Sequence, residues 1–345
     1  MSRDRADLAA LNAQLARYVE PDTARSLRQL LGTSFVFVAV WGLAYLSLDV
    51  SYWATSALIL IGGGFLLRLS ALQHDCGHGA LFKSKGANDW VGRLISVATL
   101  TPYYLWLKNH AVHHANVGNL DLRGEGYLDM LTVKEYEGLS AWKKLVYRCY
   151  RAPFTLFLMG PAVQFIVLYR LPWIVTPAQR KERLSILGTD LALALVLALM
   201  SGTIGVGPFL LIHLSITAVA ASAAAWLFYI QHQFKNAYWE RDDKWDFTRA
   251  GMEGCSYYKL PSILQWITCS VGLHHIHHLS SRIPNYNLQR CMDENVVFQK
   301  TKAMTFRESL KCPSLKLWDE ERRRMVGFPK SRTAGSALSS FLPVL

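Results

Sequence analysis

Eight histidines stand in three short groups: His74 and His78 in HDCGH, His110, His113 and His114 in HAVHH, and His274, His277 and His278 in HHIHH. Residues three and four apart share a helix face, so each group can aim its imidazoles at one point. Imidazole suits iron, zinc, copper and nickel alike, so the donor type does not name the ion. A structural zinc site closes with four ligands and a catalytic zinc keeps three, which makes eight donors enough for two metals. Five of the six cysteines lie outside the groups, and there is no HExxH, so a thiolate zinc site and a zinc protease both fit poorly. The expected chemistry is nitrogen-ligated and redox-capable.

The elements that must carry these groups are apolar and long. The chain has 345 residues, 51% of them hydrophobic, and a positive mean hydropathy. Uncharged stretches run over 29–48 and 50–67, separated by Asp49, and each approaches the ~20 residues needed to cross ~30 Å of hydrocarbon. A third stretch, Leu191 to Phe234, is interrupted by Gly202, Gly205, Gly207 and Pro208 and reads as two spans, about 188–204 and 208–231. Two shorter runs, 94–107 and 152–169, read as interfacial or re-entrant segments, because a single crossing by either would put one histidine group on the opposite side. The expected fold is an all-α integral membrane protein with four transmembrane helices under a helical cap that holds a histidine-ligated dimetal site.

The division that follows is an N-terminal segment (1–28), a main domain (29–310) and a C-terminal tail (311–345). Residues 1–28 mix Arg with acidic residues and have no apolar core, unlike a signal peptide, while Leu8, Leu11 and Leu15 suggest an amphipathic surface helix. Five arginines precede the first span and none occupies the two tight turns, so both termini and all three histidine groups are expected on the cytoplasmic side. The net charge of +12 could serve anionic lipid or an acidic protein partner, and the apolar spans argue against nucleic acid. The cysteines form no CxxC pair, consistent with a reducing compartment.

The three groups, with GNLD (118–121), LTVKEY (131–136), QHQF (231–234), EGCSYY (253–258) and GLHHIHHLSSRIPNYNLQRC (272–291), resemble the integral-membrane fatty acid desaturase family, whose histidine boxes read HxxxH, HxxHH and HxxHH. The likeness covers about residues 30–310 and leans towards the bacterial Δ12 or omega-6-like branch. It implies a non-haem centre of two iron ions that uses O2 to remove two hydrogens from neighbouring methylenes of a fatty acyl chain held as lipid, CoA ester or carrier thioester. An unactivated C–H bond offers ordinary side chains no handle, so a redox metal must do the hard step while the protein positions the chain. No haem, flavin or Fe–S segment is evident, so an external electron donor such as ferredoxin or a cytochrome b5-like protein is implied. The resemblance also makes His232, at the end of the fourth span, a ninth ligand; some members place Asn four residues before it, where this chain has Phe228.

His275 points about 100° away from His274 on a helix and reads as a supporting or solvated residue rather than a ligand. His213, deeper in the fourth span, reads as a neutral hydrogen-bonded histidine. Ligating imidazoles usually pass their other N–H to a carboxylate or carbonyl. Asp75, Asn116 and Asp121 are candidates for that role or for helix caps and turns, and Asn285, after Pro284, could orient a ligand or cap a helix. Trp90, Tyr103, Tyr104 and Trp106 could line an acyl tunnel or form the interfacial aromatic belt. Acyl hydroxylation on the same scaffold is the rival activity, and a membrane metal transporter is a distant one, since it would place its ligands at the bilayer midplane inside broken helices.

Overall fold

A computed structural model describes residue 11 and residues 13–124 and 128–329. It is mostly helical. Four helices are long and apolar enough to cross a membrane: α1 (Thr23–Leu46), α2 (Tyr52–Gly77), and, after the others named next, α7 (Arg180–Ser201) and α8 (Val206–His232). Between them lie α3 (Lys85–Thr99), α4 (Tyr103–Asn116), α5 (Ala141–Tyr150) and α6 (Thr155–Arg170); beyond them follow α9 (Ser262–Ile267), α10 (His274–Leu279) and α11 (Asn285–Glu294). The protein is a multi-pass integral membrane protein.

The spans outrun the apolar stretches that announce them. Helix α2 does not stop at residue 67 but continues to Gly77, because its polar residues find partners inside the protein. Arg68 Nε donates to Thr33 Oγ1 of α1 at 3.1 Å and its guanidinium lies over the Trp266 ring, while Gln73 donates to Ser96 at 2.9 Å and to two backbone carbonyls. These bonds remove the cost of burying polar groups that a hydropathy count charges in full. The Ser51 hydroxyl caps the start of α2, and Gly205, at φ +87, makes the reversal into α8 that a side chain would resist. The tight turns at 47–51 and 202–205 lie at one end of their helices and the histidines at the other.

Close contact between α2 and α8 is set by two glycines. A Cβ on Gly62 would lie 2.9 Å from Ile216 Cδ1, and one on Gly63 would lie 2.3 Å from Val219 Cγ1. Helix α2 carries His74 and leads into His78, and α8 ends in His232, so this seam fixes the spacing of two ligand-bearing helix ends.

The run 94–107 is not one segment. It breaks at Leu100, which adopts φ +54, into the end of α3 and the start of α4, the helix of the second histidine group. The run 152–169 forms α6, with π-helical turns at Thr155–Met159 and Val163–Val167, bent 56° from α5, as a broken span or re-entrant loop would be. The exposed face of α5 carries Trp142, Leu145 and Val146.

The cap adds short strands that an all-α expectation omits. Strand β1 (Leu131–Thr132) pairs in parallel with β4 (Leu317–Asp319), and β4 pairs antiparallel with β5 (Arg324–Val326); β2 (Tyr257–Tyr258) pairs in parallel with β3 (Ala303–Met304). Residues 311–329 are thus built into the cap and are not a tail; residues 330–345 lie outside the described residues. Fully buried Arg151, at the end of α5, donates to Asp129 O, Tyr229 Oη, Gln233 Oε1 and Leu315 O, tying α5 and the C-terminal strands to the end of α8. At the N-terminus, Leu15 and Tyr18 pack beneath α10 and α11 with Ile276, Leu288 and Phe298, so Leu15 faces the core and not a lipid surface. Leu8 lies outside the described residues.

Candidate metal centre

The three groups converge with His232 into two adjoining sets. His74, His78, His110, His114 and His277 form the first; His113, His232, His274 and His278 form the second; within each set the ring nitrogens lie within 4.8 Å of one another. The sets abut, with the His114 and His278 rings stacked at 4.1 Å. The division follows helix geometry. HxxxH at the end of α2 gives both of its imidazoles to the first set. On α4 the i, i+4 pair His110 and His114 joins the first set, and His113, about 100° round the helix from His114, turns to the second. On α10 the assignment reverses: His274 and His278 enter the second set and His277 the first.

The donor sets fit cations. In the first, Nε2 of His110 lies 3.0 Å from Nε2 of His78 and of His114, and His277 Nε2 lies 3.0 Å from His114 Nε2. In the second, His274 Nε2 lies 2.9 Å from His232 Nε2 and 3.0 Å from His278 Nε2. A neutral imidazole carries one N–H, so a chain of converging nitrogens cannot satisfy all its lone pairs by hydrogen bonding. A shared cation can: nitrogens about 2.1 Å from one ion and at right angles would be about 3.0 Å apart. Burial first, and neighbouring imidazoles second, push His110, His113, His114, His274, His277 and His278 well below the ordinary histidine range. Neutral imidazole is the form that ligates.

The supporting residues divide. Asp75 Oδ1 lies 3.5 Å from His74 Nδ1, and its Oδ2 accepts from the backbone N of Asn285 at 2.9 Å and from Asn285 Nδ2 at 2.8 Å. Asp75 and Asn285 therefore form one buried unit that links the end of α2 to the start of α11 beside His74. Asp121 is not near the histidines: it is exposed, accepts from Arg241 at 2.6 Å and from Asp242 N at 3.0 Å, and staples two cap loops. Asn116 ends α4, where its carbonyl accepts from Asn119 N in a turn. His275 is fully buried rather than solvated, between Tyr257 and Phe298, outside both sets; burial pushes it down to about 4. His213 stacks on Phe209 within α8, away from the sets.

Trp106 is neither belt nor membrane surface, since its ring stacks on His110 at 4.6 Å and meets His74 at 5.7 Å. Its position four residues before His110 placed it on that helix face. Tyr103 is buried against Gly92, whereas Trp90 is exposed under Arg93. Phe228 packs against His113 at 5.0 Å and His232 at 5.5 Å, so an apolar ring lies against two imidazoles of the second set. The Sγ of Cys255 lies 3.8 Å from His232 Nδ1, a proximity that the sequence signals only through the place of this cysteine in EGCSYY.

A buried double histidine cluster at the ends of membrane helices defines a class of membrane-bound metal enzymes. The chain belongs to the fatty acid desaturase family, whose sequence profile matches residues 50–307. It is 42% identical over 318 residues to a fatty acid desaturase of Bacillus subtilis (strain 168), covering 92% of this chain and 90% of that one. It is 28% identical over 290 residues to an sn-1 acyl-lipid omega-3 desaturase (ferredoxin) of Synechocystis sp., covering 82% and 78% respectively. It is also 25% identical over 238 residues to an sn-1 oleoyl-lipid 12-desaturase of Picosynechococcus sp., covering 66% and 65%. The protein is a fatty acid desaturase, an oxidoreductase.

Proposed function

We propose that the two histidine sets hold two iron ions, and that the protein uses O2 to introduce a cis double bond into an acyl chain of a membrane glycerolipid at a Δ12/omega-6-like position. The observation that carries this reading is the partition of nine imidazoles into sets of five and four with touching rings. The acyl-lipid substrate and a ferredoxin-like donor are supported by the relatives named for them, and the position of the bond by the sequence motifs; the relatives themselves include both omega-3 and 12-desaturases.

When bound, the iron pair would supply the dioxygen activation and C–H cleavage that no side chain provides. The chain's own residues do the rest. Helices α2, α4, α8 and α10 hold the nine imidazoles in place, and burial keeps those of the second and third groups neutral. Asp75 fixes the orientation of His74, and Trp106 and Phe228 wall the centre with apolar rings that exclude water. The arginine-rich approach to α1 and the turns free of Lys and Arg support a cytoplasmic histidine end, where a soluble donor would have access.

Expression in a host that lacks the activity, with defined acyl chains fed and products located by mass spectrometry, tests the reading. A new cis double bond that disappears in His113→Ala and His277→Ala is expected. A hydroxy acid with no new double bond would transfer the assignment to hydroxylation.

A further inference from the structure

An open groove of about 610 Å³ lies beside the third histidine group, on the membrane side of the cap. One wall is strand β2 and the residues after it, with Tyr257 and Lys259; a second is α9, with Ser262 and Gln265; a third is α11, with Gln289 and Asp293. Its closing edge is Ser270, which with Cys269 forms two consecutive non-glycine residues at positive φ (59° and 50°). Such backbone is unfavourable for residues with a Cβ and persists where the surroundings impose it. Here Ser270 N donates to Gln265 O at 2.9 Å, and Leu273 N donates to Ser270 O at 3.0 Å, so the strained turn joins the groove to the start of α10.

The depth of the groove is set by α9. Ile267 lies against Gly64 of α2, the Trp266 ring meets Phe65 edge-on at 6.0 Å, and Arg68 sits over Trp266. Residues 64–68 belong to the membrane-spanning helix, on its histidine side, and α9 exposes Ile263, Leu264 and Trp266. Apolar side chains at that level are solvated by lipid, so the polar lining beside them stands at the boundary between acyl chains and water. Gln265 Nε2 of α9 donates to Gln289 Oε1 of α11 at 3.4 Å, so amide groups from two walls meet at the groove.

The lining carries one cation, Lys259, and one anion, Asp293, among hydroxyl and amide groups. A nucleotide-bearing thioester, with several phosphate charges, would need a cluster of cations. A hydroxyl-rich headgroup with at most one negative charge matches instead. The groove is also close to the centre: the Tyr257 ring lies 5.8 Å from that of His275, the neighbour of His274, and Tyr257 bridges to the backbone of Leu273.

Resting on the glycerolipid-desaturase reading, we propose that this groove binds the polar headgroup of the substrate lipid, a glycerol or sugar headgroup carrying no more than one negative charge, while its acyl chain enters the protein. Lys259 meets the phosphate or a hydroxyl oxygen, and the exposed Gln289 amide hydrogen-bonds a hydroxyl.

The full-length protein, metal-loaded and embedded in phosphatidylcholine nanodiscs, is irradiated with phosphatidylglycerol bearing a diazirine on its headgroup, and labelled peptides are mapped. Label concentrated on residues 257–270 and 289–293 is expected, competed by unlabelled phosphatidylglycerol. In the Lys259→Met/Gln289→Ala double variant, whose sites are exposed, the label there should fall about tenfold, the loss of one or two net hydrogen bonds, with metal content preserved. Label spread over the lipid-facing helices without enrichment in the groove overturns the proposal. So does preferential labelling of the groove by a diazirine acyl-coenzyme A. Labelling is independent of turnover: a protein that desaturates but does not label there refutes the headgroup site alone, and one that forms no double bond refutes the activity.

Discussion

Substituting Gly63 by Ala tests how the membrane helices set the geometry of the metal centre. The added Cβ would lie 2.3 Å from Val219 Cγ1 and 2.7 Å from Val219 Cβ. Carbon atoms in contact sit about 3.5–4.0 Å apart. Rotating the valine moves its methyls but not its Cβ, so α2 and α8 must part by about 1 Å. Overpacking of this kind costs about 1–3 kcal/mol. The functional effect is the larger one, because His74 lies about 16 Å further along α2 at about 1.5 Å per residue, and His232 ends α8 in the same direction. A displacement of about 1 Å at a catalytic constellation can lower the rate about 100-fold. Gly42→Ala on α1 is the control, since nothing lies within 4 Å of its added Cβ. Both variants are assayed in membranes for thermal unfolding, metal per chain and acyl desaturation. Gly63→Ala should lose stability and activity, Gly42→Ala should match the parent, and Val219→Gly in the Gly63→Ala background should restore function by moving the notch to the other helix. Equal behaviour of the two alanine variants would refute the reasoning.

Removing His232 leaves the second set with three imidazoles and the first intact, so His232→Ala should lower bound iron from two ions towards one per chain, read by elemental analysis, and abolish desaturation. Asp75→Ala releases Asn285 and frees His74 to turn; loss of such a supporting contact typically costs 10–100-fold in metal affinity or activity, measurable by chelator competition, whereas Asp121→Asn should change it little. Arg151→Met leaves the Gln233 side chain and the Asp129 carbonyl without their buried donor, while Leu315 O keeps the Tyr229 hydroxyl, and should reduce stability by about 2–4 kcal/mol, seen as a lower unfolding temperature with iron content retained at ordinary temperature.

The sequence made the convergence of the histidines legible because i, i+3 and i+4 spacing is a property of the helix itself. It did not reveal which imidazole joins which set. That depends on how α4 and α10 face each other, and it gives His113 and His277 to opposite sets although both occupy the same place in HxxHH. The cores of the four spans were legible as apolar runs, but the last ten residues of α2 were not, since Arg68, Gln73 and Asp75 read as surface until their partners on α1, α3 and α11 are known. The pairing of β1 with β4 joins residues nearly two hundred positions apart through strands of two and three residues, too short to leave a periodic signal. Asp121 shows how little proximity in sequence decides: of its two readings, imidazole partner or turn residue, the second holds, with Arg241 and Asp242 fixing it among the cap loops.

The central claim is that nine histidines form two adjoining metal sites. Elemental analysis combined with Mössbauer spectroscopy of the purified full-length protein tests it most directly. Two iron ions per chain, magnetically coupled as neighbours, are predicted. A single ion per chain, two uncoupled ions, or zinc in place of iron in an active preparation would contradict it.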